Sequence, residues 1–299
     1  MKLRKKYRVF IFQPYPKFGG ADRSIIRLIN GNKSADFTLV SLTKCNYSKY
    51  LNKKIEYLEI KSSRVLFSFF KLREKIKYII DKNKYDKNIF ISNQNFANVI
   101  SILALNKLKN LKTILIERNH LDELKNYKNI IDFFKKKIIF YLIKYNYKKA
   151  NLVIGISKEL SNDLSKFINR KVTNIYNPAL DQNIYKKRVD KIIIDKRILK
   201  KRIILNVGFF EMQKDQITIL RAFNDLKKDI SNIHLILIGK GSKHGYLKRY
   251  IHRNNLEDSV SLITNVNNPE KYYKISKLFV LSSRYEGFGN VIVEALKNN

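Results

Sequence analysis

Short apolar runs bounded by turn residues alternate along this chain with longer stretches in which apolar residues recur at helical spacing. That rhythm constrains the fold more than any other feature, because an apolar run followed by a 3.6-residue period is how a βα unit reads in sequence. Repeated in series, such units build a parallel sheet, since each connection must cross back over a sheet face before the next strand begins. Strands are expected at residues 8–13, 37–42, 89–92, 113–117 and 152–156, with helices from about Ala21 and over 71–82, 96–107 and 131–147. Ser157 leads the last strand into a further helix, and Asn174 to Pro178 closes the series. Residues 181–201 then interrupt it with dense lysine and no core pattern.

A second series follows: strands at 203–207, 234–238, 259–263 and 278–282, and helices at 214–227, 243–253, about 270–273, and from Asn290. The expectation is therefore an α/β protein of two domains, 1–180 and 202–299, joined by a linker at 181–201. A chain of 299 residues is long enough to bury two cores. No tandem repeat is evident.

Composition narrows the chemistry. Cys45 is the single cysteine, which rules out an internal disulfide framework. Four scattered histidines, without an HExxH or a His/Cys cluster, argue against a zinc site. The basic start is followed by too short an apolar run for a signal peptide, and no stretch approaches the ~20 apolar residues of a membrane span, so a cytoplasmic protein is expected. The formal net charge of +36 points to nucleic acid, an anionic membrane surface or phosphorylated small molecules. An AT-rich genome, favouring Lys, Asn, Ile, Tyr and Phe together, is an alternative source of the excess lysine. No helix-turn-helix, RNP-like or zinc-finger pattern is present and the lysines are dispersed, so no nucleic-acid partner is expected.

Two loops have the layout of an anion site, a glycine turn between a strand and a helix N-terminus. The first is Phe18-Gly19-Gly20-Ala21-Asp22-Arg23. The second is Ser282-Ser283-Arg284-Tyr285-Glu286-Gly287-Phe288-Gly289-Asn290, which runs into Val291-Ile292-Val293-Glu294-Ala295-Leu296. Each is also compatible with a plain tight turn or helix cap. Glu286 and Glu294 flank the second loop, where carboxylates suit hydrogen bonds to sugar hydroxyls, and Glu294 needs a partner if buried.

Together these residues resemble family 4 glycosyltransferases. The carriers are Tyr285-Glu286-Gly287-Phe288-Gly289 with the Glu-x7-Glu spacing that ends at Glu294, Gly19-Gly20-Ala21, Ser157-Lys158-Glu159-Leu160, Ile175-Tyr176-Asn177-Pro178, Asn206-Val207-Gly208 and Ile238-Gly239-Lys240-Gly241, in family order over nearly the whole chain. The resemblance implies a GT-B fold, two Rossmann-like domains facing a cleft, with the second incomplete. It also implies retaining transfer from a UDP- or GDP-sugar to a glycan or lipid-linked acceptor in surface-polysaccharide synthesis, with no cofactor and no obligatory metal; the lack of an Asp-x-Asp agrees. Residue by residue, it implies that Glu294 holds the ribose, that Glu286 with Gly287, Phe288 and Gly289 contacts the donor sugar, and that Gly19, Gly20 and Gly208 lie near the diphosphate. Lys214 would neutralise the leaving phosphate, and His120 is a candidate sugar contact, with a structural role as the alternative.

Two departures stand out. The family's Gly-Arg is here Gly208-Phe209, and the chain stops where the family would continue into further strands. A chain ending there is expected to be poorly stable and weakly active. A relic that binds sugar nucleotides without transfer is one alternative, and a GT-B epimerase or phosphorylase another. The stretch from Ile131 to Lys149 is separately notable. Phe134, Ile138, Leu142 and Tyr145 fall on one apolar face, and Lys137, Lys144 and Lys148 form a stripe flanked by Phe140, Tyr141 and Tyr147. This suits either a sheet-covering helix with lysines reaching to water or a helix resting on an anionic inner membrane face.

Overall fold

The structure, a computed structural model, describes residues 7–16, 19–82, 85–127, 129–180, 194–266 and 268–298. They divide into two compact units, Met1–Pro178 and Ala179–Asn299.

The first unit is a parallel sheet made of β1 (Tyr7–Phe12), β2 (Ala35–Ser41), β3 (Glu56–Glu59), β4 (Lys87–Asn93), β5 (Leu111–Glu117), β6 (Leu152–Gly155) and β7 (Thr173–Asn174). Its helices are α1 (Gly20–Gly31), α2 (Phe69–Asp81), α3 (Asn95–Leu105), α4 (Ile130–Asn146) and α5 (Lys158–Ile168). The strand order is β3-β2-β1-β4-β5-β6-β7. The chain thus winds outward from β1 in one direction, then restarts at β4 on its other side. Val9, Phe10, Ile11 and Phe12 are all buried, as expected of a central strand covered on both faces. Phe10, Phe12 and Phe90 pack against α2 and α3 through Leu72, Ile76 and Ile100. Helix α5, which the sequence places after Ser157, is capped at both ends. The Ser157 hydroxyl accepts from the Leu160 amide at 3.3 Å to start α5, and Asn169 ends that helix in the left-handed region.

The sequence reading omits β3 and β7. β3 reads Glu-Tyr-Leu-Glu, half exposed at the sheet edge, and β7 has two residues, so neither carries an apolar run. The expected face of α4 also needs correcting. Ile139, Ile143 and Tyr147 turn inward, with Phe140 and Leu142 packed beside them, while Phe134, Ile138 and Tyr145 stand exposed. Leu142 therefore does not share their face, and Phe140 and Tyr147 do not flank an open lysine stripe.

The second unit contains β8 (Arg202–Val207), β9 (Ile233–Ile238), β10 (Val260–Ile263) and β11 (Leu278–Phe279), with α6 (Gln216–Asp229), α7 (His244–Arg253), α8 (Glu270–Ile275) and α9 (Asn290–Asn298). Its order is β10-β9-β8-β11, again all parallel. One face packs on α6 and α7 through Leu220, Phe223, Leu247 and Ile251, and the other on α8 and α9 through Tyr272, Tyr273 and Ala295. Of the expected linker, residues 181–193 lie outside the described residues. Ile194 and Ile198 pack against the second unit's core.

Candidate functional site

In an open parallel sheet, the loops leaving the carboxyl ends of the two strands flanking a reversal of order part from one another and leave room for a ligand. In the second unit that reversal lies between β8 and β11. Gly208, Phe209 and Lys214 follow β8, and Ser282 to Gly289 follow β11, so the topology brings together two sequence-predicted groups some 70 residues apart.

The two loops are tied along their length. The Ser282 hydroxyl bonds the Lys214 and Asp215 carbonyls, each at 2.9 Å. The Arg284 amide donates to the Gln213 carbonyl at 2.8 Å, and the Gln213 side chain donates to the Tyr285 carbonyl at 2.9 Å. Arg284 Nε also reaches the Asp215 carboxylate at 3.3 Å. This frame holds the Lys214 ammonium against Glu286 Oε1, which also accepts from the Ser283 hydroxyl at 2.7 Å. Lys214 and Glu286 are about one-fifth exposed. Such a pair is partly desolvated yet within reach of a solute.

Gly287 and Gly289 then lead into α9. Gly289 has φ +70, a left-handed conformation that a side chain disfavours. The turn leads into the amino end of α9, where the helix dipole favours an anion. One turn into the helix, Glu294 is buried at 7% exposure, and its Oε2 accepts from the Tyr273 hydroxyl at 3.3 Å. The partner that a buried acid requires comes from α8. Glu294 and Tyr273 line a pocket with Leu180, Asn268, Pro269 and Lys297. Gly208 sits beside the Lys214 stem, while Phe209, where the family's arginine is expected, is exposed and Phe210 is buried in the core.

In the first unit the reversal lies between β1 and β4. Gly19 and Gly20 begin α1, but the Gly19 amide already donates to Asp22 Oδ2 at 2.9 Å, and Tyr47 donates to the other oxygen of that carboxylate. The turn's first donor is therefore satisfied from within. Across the reversal lies a group the sequence reading missed. Gln13 and Asn93 extend the paired register of β1 and β4, both are buried, and Gln13 Oε1 and Asn93 Nδ2 have no hydrogen-bond partner among the described residues. Gln94, at φ 74 and ψ 150, holds a backbone conformation that is strained for a residue with a side chain. Arg118 donates to Asn93 Oδ1 at 3.0 Å and to Asn177 Oδ1 at 2.7 Å, and desolvation pulls its guanidinium down to about 10. Only Asn177, within Ile175-Tyr176-Asn177-Pro178, had a sequence signal.

His120 is held on both ring nitrogens: Nδ1 accepts from the Asp122 amide at 3.3 Å, with that residue's carboxylate 3.0 Å away, and Nε2 lies 3.1 Å from Asp163 Oδ2. A sugar hydroxyl reaching either ring nitrogen would have to displace one of these partners. His120, Glu159 and Asp163 nevertheless have ligand-type atoms within 4.8 Å of one another, a grouping the sequence hides because it joins a loop to α5.

Residues 189–299 match the family Glycosyl transferases group 1. The chain is 29% identical over 260 residues to an uncharacterised glycosyltransferase, MJ1059, of Methanocaldococcus jannaschii, covering 83% of this chain and 62% of that protein. Over 159 residues it is 33% identical to an N-acetylgalactosamine-N,N'-diacetylbacillosaminyl-diphospho-undecaprenol 4-alpha-N-acetylgalactosaminyltransferase of Campylobacter jejuni, covering 52% of this chain and 41% of that enzyme. The chain thus spans under two thirds of the length of these relatives. Among solved structures it is similar to HepE of Anabaena in complex with UDP and glucose, with a TM-score of 0.70 and 17% identity over 97% of this chain and 78% of that one. The fold is the GT-B fold expected from the sequence.

Proposed function

We propose that this chain is a retaining glycosyltransferase of family 4, which moves a sugar from a nucleoside diphosphate carrier to an acceptor hydroxyl. The observation that carries the reading is the Lys214–Glu286 pair at the β8–β11 reversal, one turn from the amino end of α9 and inside the segment that matches group 1 glycosyltransferases. In the reaction the bond from the anomeric carbon to the diphosphate oxygen breaks, the acceptor oxygen takes its place on the same face, and the acceptor's proton passes to the departing diphosphate oxygen. Negative charge grows on the departing phosphate. Lys214 and the amides of Gly289 and Asn290 are the groups that would stabilise it, because fixed positive ends need no reorganisation as charge develops. Glu286 would orient the donor sugar, with Gly287 and Phe288 beside it, and Glu294 would bind the ribose hydroxyls while Tyr273 holds it in place.

The donor is read as a UDP- or GDP-sugar, a class consistent with the UDP held by HepE, with no cofactor and no obligatory metal. For the acceptor, the similarity to an enzyme of undecaprenol-linked glycans favours a lipid-linked sugar or growing surface polysaccharide. A cytoplasmic protein held peripherally at the inner membrane face follows from that acceptor. Among the described residues no helix is long and apolar enough to cross a membrane. In the first unit the Gly19–Gly20 turn and the buried Gln13 and Asn93 amides, each with one atom lacking a partner among the described residues, are offered as polar groups for a sugar, with His120 as positioning support.

Phe209 favours one competing reading, a sugar-nucleotide binder without turnover, since an exposed phenyl ring cannot supply an arginine's charge. Titration calorimetry with UDP and GDP, beside a turnover assay with the corresponding sugars, separates the two. Binding that is lost in Glu294→Ala, together with transfer, supports the enzyme; binding without transfer supports the relic. Wild-type protein that binds neither nucleotide refutes both.

A further inference from the structure

α4 presents apolar side chains on two opposite sides. Its inner side, Ile139, Ile143 and the following Tyr147, fills the core beside α3 and β5. Its outer side carries Ile130, Ile131, Phe134, Ile138, Tyr141 and Tyr145, which are 55% to 75% exposed. At helical spacing these six fall within about 100° of the circumference, a continuous stripe on the order of several hundred Å². Packing against the sheet cannot explain it, because the packing residues lie on the other side.

The charges around the stripe decide what fits it. The exposed Lys135 lies on one flank, with Lys137 and Lys144 on the other and Lys148 beyond the last turn. The one acid of the helix, Asp132, is paired with Lys136 at 3.2 Å, which leaves the flanks cationic. A second copy of this chain would bring lysine flank against lysine flank in a molecule of net charge +36. Nucleic acid would satisfy the lysines and leave the isoleucines and phenylalanine facing phosphates. An anionic bilayer surface satisfies both, because acyl chains take the apolar stripe, headgroup phosphates take the flanking ammoniums, and Tyr141 and Tyr145 suit the boundary with a buried ring and a wet hydroxyl.

We infer that the outer face of α4 is a membrane-docking surface, which lays the helix flat in the headgroup region of an anionic leaflet. The inference deepens the acceptor reading above by naming the surface that would bring the first unit to a lipid-linked sugar. It does not depend on the transfer reaction being correct.

Sedimentation with sucrose-loaded vesicles tests it. Vesicles of phosphatidylcholine with about one third phosphatidylglycerol should bind the full chain at least about tenfold more tightly than pure phosphatidylcholine, and added salt should weaken that binding. Phe134→Ser with Ile138→Ser should lower partitioning about tenfold, and Lys137→Gln with Lys144→Gln should lower it severalfold on anionic vesicles alone. All four side chains are exposed, so thermal midpoints should stay put, and nucleotide titration without vesicles should match wild type; loss of nucleotide binding in wild type would instead count against the catalytic reading. Equal binding to both vesicle types, or undiminished binding of the Phe134/Ile138 variant, overturns the proposal. So does a vesicle-free dimer in sedimentation velocity that this variant abolishes, which would make the face a self-association surface.

Discussion

Lys214 and Glu286 neutralise each other at the edge of water, and a diphosphate arriving beside them would compete with the carboxylate for the ammonium. Lys214→Ala should therefore reduce turnover by about 10²–10³, the usual effect of removing one fixed positive group from a developing anion. Lys214→Arg should recover part of that loss. The stability cost should stay below about 1 kcal/mol, because solvent screens a pair that is partly exposed. A steady-state assay beside a urea melt reads both, and unaltered kcat in Lys214→Ala removes the lysine from the chemistry. Both residues are legible in the sequence, one by family position and one by its glycine-rich loop. Their pairing is not, because only the strand order joins them. Glu294 shows the same limit, since burial demands a partner but only α8 supplies Tyr273. Gln13, Asn93 and Gln94 left no trace, because amides are common at strand ends and a positive φ on glutamine has no compositional mark.

Two glycines of the second unit test how tightly its strand-to-helix turns are built. A Cβ on Gly239, just past β9, would lie 1.9 Å from the Gly208 carbonyl oxygen, so Gly239→Ala must push the β8 and β9 loops apart. In Gly289→Ala the new methyl would lie 3.1 Å from Ile292 Cδ1, a side chain that can move, and the main cost is the left-handed backbone. Gly289→Ala should cost about 1 kcal/mol and Gly239→Ala at least about 3 kcal/mol, read as shifts in urea midpoint. Equal effects would mean that the close approach at Gly239 is relieved elsewhere. At this scale most elements were readable to within two or three residues, since an apolar run such as 9–12 or 235–238 admits few interpretations. The failures have physical causes. β3 is charged at both ends, β7 is too short to carry a period, and α4 is apolar on two sides, which defeats a rule that assigns one face to the core.

The two units should respond to pH in opposite senses. In the first, burial pushes Glu117 up to about 7 from 4.5, against hydrogen bonds from Tyr147, Asn119 and Arg118 that favour its ionised form. Between those values the folded unit keeps a proton that the unfolded chain has released, so stability falls as pH rises through the window and levels off above it. In the second, burial lowers His234 from 6.5 to about 4, with Lys201 adding to the effect. The folded unit then refuses a proton that the unfolded chain accepts, so its stability falls as pH drops through that interval. Going from pH 7 to pH 5, calorimetry should show the first unit gaining on the order of 2 kcal/mol and the second losing a smaller amount, since solvent partly screens His234. Glu117→Gln should flatten the response of the first unit alone; a response that survives this substitution assigns the effect to other groups. The reversal of strand order at β8 has a kinetic consequence as well. Lys214 meets Glu286 only after a span of 72 positions, holding β9, β10 and α8, has been laid down and closed back upon the starting strand. Loop closure of that length comes late and makes folding slow. A nascent chain in which the ammonium already touches its carboxylate has thus brought β11 home against β8, and quenching between labels near these two positions would time that closure.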